Sequence, residues 1–302
     1  MEVIYLKNFD EVKEVPKLSL VLGNFDGVHI GHAQLINYAR NNSNGNLGVF
    51  TFDKPLKTIE GCLTSLDDRI EIFKELGVDY VFIILTDDNF KKMSYIKFVD
   101  LILKKLNPVK IFCGPDFKYG FNAQGDVYYL KERFSKVYIL NYVNDHNSHK
   151  ISSSSIRELI KEGNIYEANR RLGRIYTIKG VVSKGKGKGL SFGFPTANLT
   201  LSDNYVVPKE GVYATKTNVN GHILRSLTNI GKNPTIADNN KLTIETYIFD
   251  FQDELYGKEI SVAFYSRLRD EIKFDSTKEL IEQLEKDMDD AIYYFDYGKK
   301  LG

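Results

Sequence analysis

Residues Gly23 to His32 read GNFDGVHIGH and follow directly on the apolar run LSLVL, Leu18 to Leu22. A strand-like run ending in a glycine-rich turn with two histidines three positions apart admits three readings: metal ligands, a phosphate cradle, or an ordinary strand-to-helix turn. A zinc site wants three or four ligands, and His146, His149 and His222 show no metal-ligand spacing with His29 and His32. Metal is therefore the weaker reading. Glycines at 23, 27 and 31 let the backbone turn tightly and approach a ligand. A helix starting near Gly31 would aim N–H groups and a positive dipole end at the same spot. That combination suits phosphate, with the histidines donating hydrogen bonds and dispersing charge on a departing pyrophosphate. On spacing alone a structural turn stays open.

Working outward, the first half alternates β-rich runs with helical patterns. The runs are Leu18 to Leu22, Leu47 to Phe52, Tyr80 to Leu85, Lys110 to Cys113 and Lys136 to Leu140. Between them, LDDRIEIFKELG and YIKFVDLILKKL repeat apolar residues at three and four, which predicts βαβ units around a parallel sheet. Ligands of such folds sit at the carboxyl ends of the strands, and GNFDGVHIGH occupies that place. From about Ile175 the β-rich stretches follow one another without helices: Ile175 to Val182, Val212 to Val219, Ile223 to Ile230, Leu242 to Phe249 and Glu259 to Leu268. These predict an antiparallel barrel or sandwich. A last helix is expected from the capping box STKE, Ser276 to Glu279. Ile165 to Leu172 reads as a helical joint, so the expected domains are 1–174 and 175–302. RNNSNGN (Arg40 to Asn46) and NYVNDHNSHK (Asn141 to Lys150) read as solvated loops.

Composition agrees with two domains, since 302 residues suffice for two separate cores. With 41 basic and 40 acidic side chains the net charge is +1, which gives no global field for nucleic acid or an anionic membrane. No partner of either kind is expected. Cys62 and Cys113 are too few for a disulfide framework or a zinc cage and read as small core residues of a cytoplasmic protein. No apolar run approaches the roughly 18 residues that span a bilayer. A monomer or weak self-association is expected.

Two further stretches carry chemistry. In ISSSSIRE, Ile151 to Glu158, Ser155 and Glu158 form a capping-box pattern, so the cluster has a purely structural reading. Capping needs one hydroxyl, however, and the surplus serines before Arg157 suit a loop that clamps triphosphate oxygens. SKGKGKGLSFGFPTAN, Ser183 to Asn198, approaches a P-loop but places Gly187 where Ser or Thr should bind magnesium, and it lies in an all-β region. Its alternating glycines and lysines, Gly185, Gly187, Lys188 and Gly189, fit a flexible phosphate cover. A basic solvated hairpin tip is the plain alternative.

These stretches, with GPDFKYGFNAQGD (Gly114 to Asp126), GVYA (Gly211 to Ala214), NIGKNPT (Asn229 to Thr235), IETYIFDF, ELYGKEI and LRDEIKF, make the chain resemble the bacterial bifunctional riboflavin kinase and FAD synthetase family over nearly its full length. The resemblance implies an N-terminal nucleotidyltransferase of the HxGH type that joins AMP from ATP to FMN. It also implies a C-terminal β-barrel kinase that makes FMN from riboflavin. It assigns His29, Gly31 and His32 to HxGH, with Gly23, Asn24, Phe25 and Asp26 on the same ATP loop. Ser152, Ser153, Ser154 and Arg157 match the triphosphate-binding SSTxxR pattern, and Asp116 falls to the FMN side. In the kinase half, Thr196 and Asn198 of PTAN would hold magnesium and nucleotide. Glu245 of IETY matches the catalytic glutamate, and Arg269, Glu271 and Phe274 fall in the flavin-side flap. Magnesium with ATP is the implied cofactor, with riboflavin, FMN and FAD as substrates or products.

The chemistry agrees with this division. In adenylyl transfer the nucleophile is already a phosphate anion, so alignment and charge neutralisation suffice. In the kinase step a ribityl hydroxyl must lose a proton, and Glu245 serves as a base if it projects inward. Strand alternation puts Thr243, Glu245 and Tyr247 on one face. Two departures stand out: TFDKPL, Thr51 to Leu56, lacks the histidine of the TFxPHP-like stretch in many relatives, and Tyr247 stands where His is common. TFDKPL raises the alternative of a weak or vestigial adenylyltransferase half, and a flavin- or nucleotide-binding regulator without turnover is a third reading.

Overall fold

Ser19–Leu22 is buried at every residue, as befits a strand covered on both faces of a parallel sheet. The computed structural model describes residues 1–7, 12–54, 61–145, 148–184, 194–232 and 242–298. Within them the chain forms two compact units, Met1–Ser153 and Ser154–Gly302.

The first unit is a six-stranded sheet of β1 (Glu2–Leu6), β2 (Ser19–Leu22), β3 (Leu47–Phe52), β4 (Tyr80–Ile84), β5 (Lys110–Cys113) and β6 (Val137–Ile139). Its order is β1-β4-β3-β2-β5-β6, and every pairing is parallel. Alternate residues feed two cores: Leu20, Leu22, Phe50 and Phe82 enter one, and Val21, Val49, Val81 and Phe112 the other. Helices α1 (Ile30–Asn41) and α2 (Leu66–Glu75) follow β2 and β3. The chain runs from β2 to β3 on one side and returns to β5 on the other. The carboxyl end of β2 is thus the switch point where such sheets bind ligands. β1 was not among the expected strands: EVIYL is a short edge strand that pairs only with β4 among the described residues.

Helices α3 (Asp88–Lys91), α4 (Tyr95–Phe98), α5 (Lys104–Leu106) and α6 (Val127–Arg133) complete the first unit, with a π-helical turn at Val99–Leu103 between α4 and α5. Next come α7 (Ser153–Glu162) and α8 (Ile165–Leu172). Helix α7 begins at Ser153, so the expected capping box at Ser155 and Glu158 is corrected: Ser155 lies inside the first turn. Asn169 of α8 donates to the Phe264 carbonyl at 2.8 Å and accepts from the Tyr176 N–H at 2.6 Å.

Of the two all-β expectations the barrel is the one found. β7 (Tyr176–Ser183), β8 (Thr196–Leu201), β9 (Gly211–Val219), β10 (His222–Lys232), β11 (Leu242–Ile248) and β12 (Glu259–Arg269) close in the order β10-β11-β8-β7-β12-β9. β8 was not among the expected strands: the motif read from Ser183 to Asn198 ends inside it. Inside, Thr217, Ser226, Thr215, Thr228 and Thr246, all fully buried, form a hydroxyl chain with O···O distances of 2.8, 2.8, 2.9 and 2.9 Å. Ser226, Thr215 and Thr228 in the middle of the chain can each give one bond and receive one, as buried hydroxyls require. Helix α9 (Thr277–Tyr297) packs outside on Val212, Ala214, Leu227 and Phe249 through Ala291. Its N-cap is Ser276, whose hydroxyl accepts from the Glu279 N–H at 3.3 Å, as the capping box predicts.

Candidate active sites

At the end of β2 the chain cannot continue as a regular turn. Phe25, Gly27 and Val28 take φ values of 53°, 82° and 34°. For a β-branched valine this is a genuine outlier, and such conformations cost about 1–3 kcal/mol each unless the surroundings impose them. The surroundings do so here. The Asp26 carboxylate accepts from the Leu63 N–H at 2.9 Å, Thr64 Oγ1 accepts from the Gly27 N–H at 3.0 Å, and Ser153 Oγ donates to the Asp26 carbonyl at 2.8 Å. Gly23 has no room for a side chain, since a Cβ there would meet the Phe25 ring at 2.8 Å.

This loop delivers both histidines. His29 is the N-cap of α1, and its Nδ1 accepts from the His32 N–H at 3.4 Å. An accepting Nδ1 leaves the ring proton on Nε2, which makes Nε2 a hydrogen-bond donor. The His29 and His32 rings stack with centroids 3.6 Å apart and planes at 17°, and Phe25 meets His32 edge-on at 5.1 Å. A Cβ on Gly31 would lie 3.2 Å from His29 Cε1, so the glycine of HxGH is what leaves the ring its space. The Asn24 Oδ1 is buried with no hydrogen-bond partner among the described residues. The arrangement is a helix start with ring N–H donors, equipped to bind and neutralise phosphate oxygens.

Of the serine cluster, Ser153 is tied to Asp26 as above, Ser152 is half-buried and Ser154 exposed. Arg157 is buried on α7; it and Ser154 belong to the second unit. Asp116, just past β5, pairs with Lys150 Nζ at 2.8 Å, and the same ammonium lies 3.6 Å from the centroid of the Tyr142 ring. Burial works against the Lys150 charge, but the Asp116 carboxylate and Tyr142 outweigh it and hold the ammonium above the usual lysine range. Sequence reasoning missed Lys150 because it sits in a stretch that reads as solvated loop.

In the barrel, Glu245 of β11 is in register with Asn198 of β8 on one side and Asn229 of β10 on the other, and Tyr247 is in register with Thr196. Adjacent register partners share a face, so one patch of wall carries Thr196, Asn198, Asn229 and Glu245. That face is not the interior: Thr246, the neighbour of Glu245, joins the internal hydroxyl chain, and Tyr247 packs with the cluster beneath α9. The expectation of an inward Glu245 is corrected, because a barrel already filled by hydroxyl and apolar side chains leaves the outer wall for chemistry. Tyr247 meets Phe194 edge-on at 5.2 Å and Phe249 at a tilt of 46° and 5.7 Å, so the tyrosine has a packing role of its own. Burial raises its hydroxyl above the usual tyrosine range.

Glu271 reaches the same wall. Its carboxylate accepts from Asn229 Nδ2 at 3.4 Å, and a Cβ on Gly231 would run into it. Arg269 is engaged elsewhere: Nε lies 2.8 Å and Nη2 2.6 Å from the carboxylate oxygens of Asp287, a residue of α9 that is 1 % exposed. Gln283 Nε2 adds a bond to the same carboxylate at 2.8 Å. Phe274 is half-buried in the segment between β12 and α9. Gly185, Gly187, Lys188 and Gly189 lie outside the described residues, as does His146. Asn229 and Asp287 were missed as site residues, since nothing in their local sequence marks a partner on another element.

Comparison with known proteins gives consistent results. The riboflavin kinase family profile matches residues 172–295, and the FAD synthetase profile matches residues 12–155. The bifunctional riboflavin kinase/FMN adenylyltransferase of Listeria monocytogenes serovar 1/2a is 38% identical over 311 residues, spanning 98% of each chain. The protein of the same description from Bacillus subtilis strain 168 is 36% identical over 305 residues, spanning 95% of this chain and 96% of its own. A crystal structure described as a macrolide-efflux protein from Streptococcus pneumoniae superposes with a TM-score of 0.87 at 30% identity, over 96% of this chain and 98% of that one. Among the described residues no helix is long and apolar enough to cross a membrane. Fold and sites together define a transferase with a nucleotidyltransferase-like parallel sheet followed by an antiparallel kinase barrel. The full-length relatives make the assignment particular: the chain belongs to the bifunctional riboflavin kinase/FMN adenylyltransferase family, and its activities are those two.

Proposed function

We propose that the two activities divide between the halves as 1–174 and 175–302. The barrel would phosphorylate riboflavin with ATP to give FMN and ADP. The parallel-sheet half would transfer AMP from a second ATP to FMN, giving FAD and pyrophosphate. The observation that carries the kinase half is the register that sets Glu245 between Asn198 and Asn229, beside Thr196. Glu245 would take the proton from the ribityl hydroxyl as it attacks the γ-phosphorus. Glu271 and Phe274 flank the flavin side in this reading, with Arg269 acting through its hold on α9. The glycine-lysine stretch, Gly185, Gly187, Lys188 and Gly189, stays in the proposal as the phosphate cover on its composition.

Magnesium fits the donor set. Thr196 and Asn198 offer a hydroxyl and an amide oxygen two positions apart on one strand, and no cluster of three or more His, Cys, Asp or Glu exists among the described residues to favour another metal. A hard cation that keeps its waters and takes charge balance from phosphates suits such ligands. Bound with ATP, it would neutralise charge on the phosphates.

In the adenylyltransferase half, His29 and His32 would donate to the phosphates as pyrophosphate leaves, with the α1 N-terminus adding its dipole. Gly23, Asn24, Phe25 and Asp26 would shape the ATP loop and Gly31 admit the phosphates. Ser152, Ser153, Ser154 and Arg157 would clamp the triphosphate, and Asp116, oriented by Lys150, would face FMN. We further propose a cytoplasmic enzyme, monomeric or weakly self-associating. One time course with riboflavin, ATP and magnesium tests the whole reading: FMN should rise first and FAD follow, and a mixture containing neither would reject it.

A further inference from the structure

Arg69 is the largest of the fully buried side chains among the described residues, at 1 % exposure, and the chemistry above does not use it. It projects from α2, whose N-cap Ser65 accepts from the Asp68 N–H at 3.1 Å. Its Nη1 donates to the Asn24 carbonyl and to Thr51 Oγ1, each at 3.2 Å, and its Nη2 donates to the Asp53 carbonyl at 2.9 Å. Thr51 Oγ1 itself donates to the Asn24 carbonyl at 2.9 Å. Asp53 Oδ1 accepts from the N–H and hydroxyl of Thr86 at 3.0 and 2.6 Å. One guanidinium therefore ties the loop after β2 to the end of β3 and, through Asp53, to Thr86, two residues past the end of β4.

What it holds is the part of the chain least able to hold itself. The Asn24 carbonyl opens the run in which Phe25, Gly27 and Val28 have positive φ, and this run aims the start of α1 and the stacked His29 and His32. Two donors converge on that carbonyl, and a planar fork spans acceptors from two loops in a way an ammonium does not. We infer that Arg69 is a positioning residue for adenylyl transfer, fixing the backbone that carries His29 and His32. The inference rests on reading this loop as the adenylyltransferase site. It also gives TFDKPL a use: Thr51 and Asp53 are the second anchor of the same guanidinium.

The test uses the full chain, so that riboflavin phosphorylation reports on each preparation independently. Arg69→Lys keeps the charge and most of the stem but loses the fork. Its kcat for FAD formation from FMN and ATP should fall about tenfold or more, since small misplacements of reacting groups cost up to ~10²-fold. The KM for ATP should stay within about threefold and riboflavin phosphorylation should not change. Thr51→Val removes the other donor to the Asn24 carbonyl and should lower the same kcat about three- to tenfold, which keeps the idea testable if Arg69 variants fold poorly. Turnover at the wild-type level in Arg69→Lys would overturn the inference, because charge alone would then suffice. If the Arg69→Lys loss is matched by an equal loss in ATP-binding stoichiometry, which marks unfolding, Thr51→Val decides, and wild-type turnover in that variant would overturn the inference. Wild-type chain that makes FMN but never FAD would instead reject the underlying reading of the loop.

Discussion

Glu245 stands directly across the antiparallel ladder from Asn198, so a carboxylate and an amide from separate strands open onto the same patch of outer wall. If the carboxylate is the base, Glu245→Gln should lower FMN formation by about 10²–10⁴-fold, the usual worth of general base catalysis. FAD formation from supplied FMN should persist. Chromatographic separation of riboflavin, FMN and FAD checks both, and loss of the two activities together in a folded variant would refute the division of labour.

Thr196 pairs with Tyr247 in the same ladder, and its hydroxyl is the part of this patch suited to a hard cation. Thr196→Val preserves shape and removes that oxygen. The magnesium concentration for half-maximal kinase rate should rise about tenfold, the low end of what altered metal surroundings cost. A titration unchanged from wild type would show that the hydroxyl is no ligand.

His29 caps α1, and a substitution can separate that duty from the chemical one proposed for it. Asn is as good an N-cap as any residue, so His29→Asn should keep α1 capped and the thermal midpoint near wild type. Without the imidazole donor, adenylyl transfer should fall about 10²–10³-fold. Calorimetry beside a pyrophosphate-release assay reads both numbers.

Asp287 lies at the centre of the Arg269 fork and accepts from Gln283 as well. Asp287→Ala strands a largely buried guanidinium and should destabilise the barrel by about 3–5 kcal/mol. Urea unfolding of the full chain measures it. A change below about 1 kcal/mol would mean that the pair behaves like a surface bridge.

Cys113 is fully buried at the end of β5, and burial is the main cause that pushes its thiol from 9.0 to about 12. Because the folded value is the higher one, the stabilising effect is present below pH 9 and is lost as the pH rises toward 12. Iodoacetamide at pH 8 should leave Cys113 unmodified until the chain unfolds; mass spectrometry of the labelled peptides decides.

Much of this was legible in the sequence, and the remainder was hidden for physical reasons. LSLVL followed by glycines announces β2, the loop and α1, because a buried parallel strand is apolar on both faces. β8 was not legible: TANLTL carries the polar residues Thr196 and Asn198 on the face it shares with Glu245, and they masked its strand pattern. Alternation along β11 placed Thr243, Glu245 and Tyr247 together but could not say which face was inward, because alternation fixes which side chains share a face and both faces of this strand carry apolar and polar residues. Arg69 and Asp287 look like the solvated side of their helices. Most of their partners, the carbonyls of Asn24 and Asp53, the Thr51 hydroxyl and Arg269 on β12, lie far off in the sequence and leave no mark beside them.

The alternation of β11 also separates two kinds of demand on neighbouring letters. Ile244, Thr246 and Ile248 face the sealed interior, while Thr243, Glu245 and Tyr247 face the other way. Drift at the even positions is answerable to folding, drift at Tyr247 to packing beneath α9 as well, and drift at Glu245, on the proposed reading, to turnover. On this ribbon the letter at 245 is the one that a lineage could change with the least risk to whether the protein stands up.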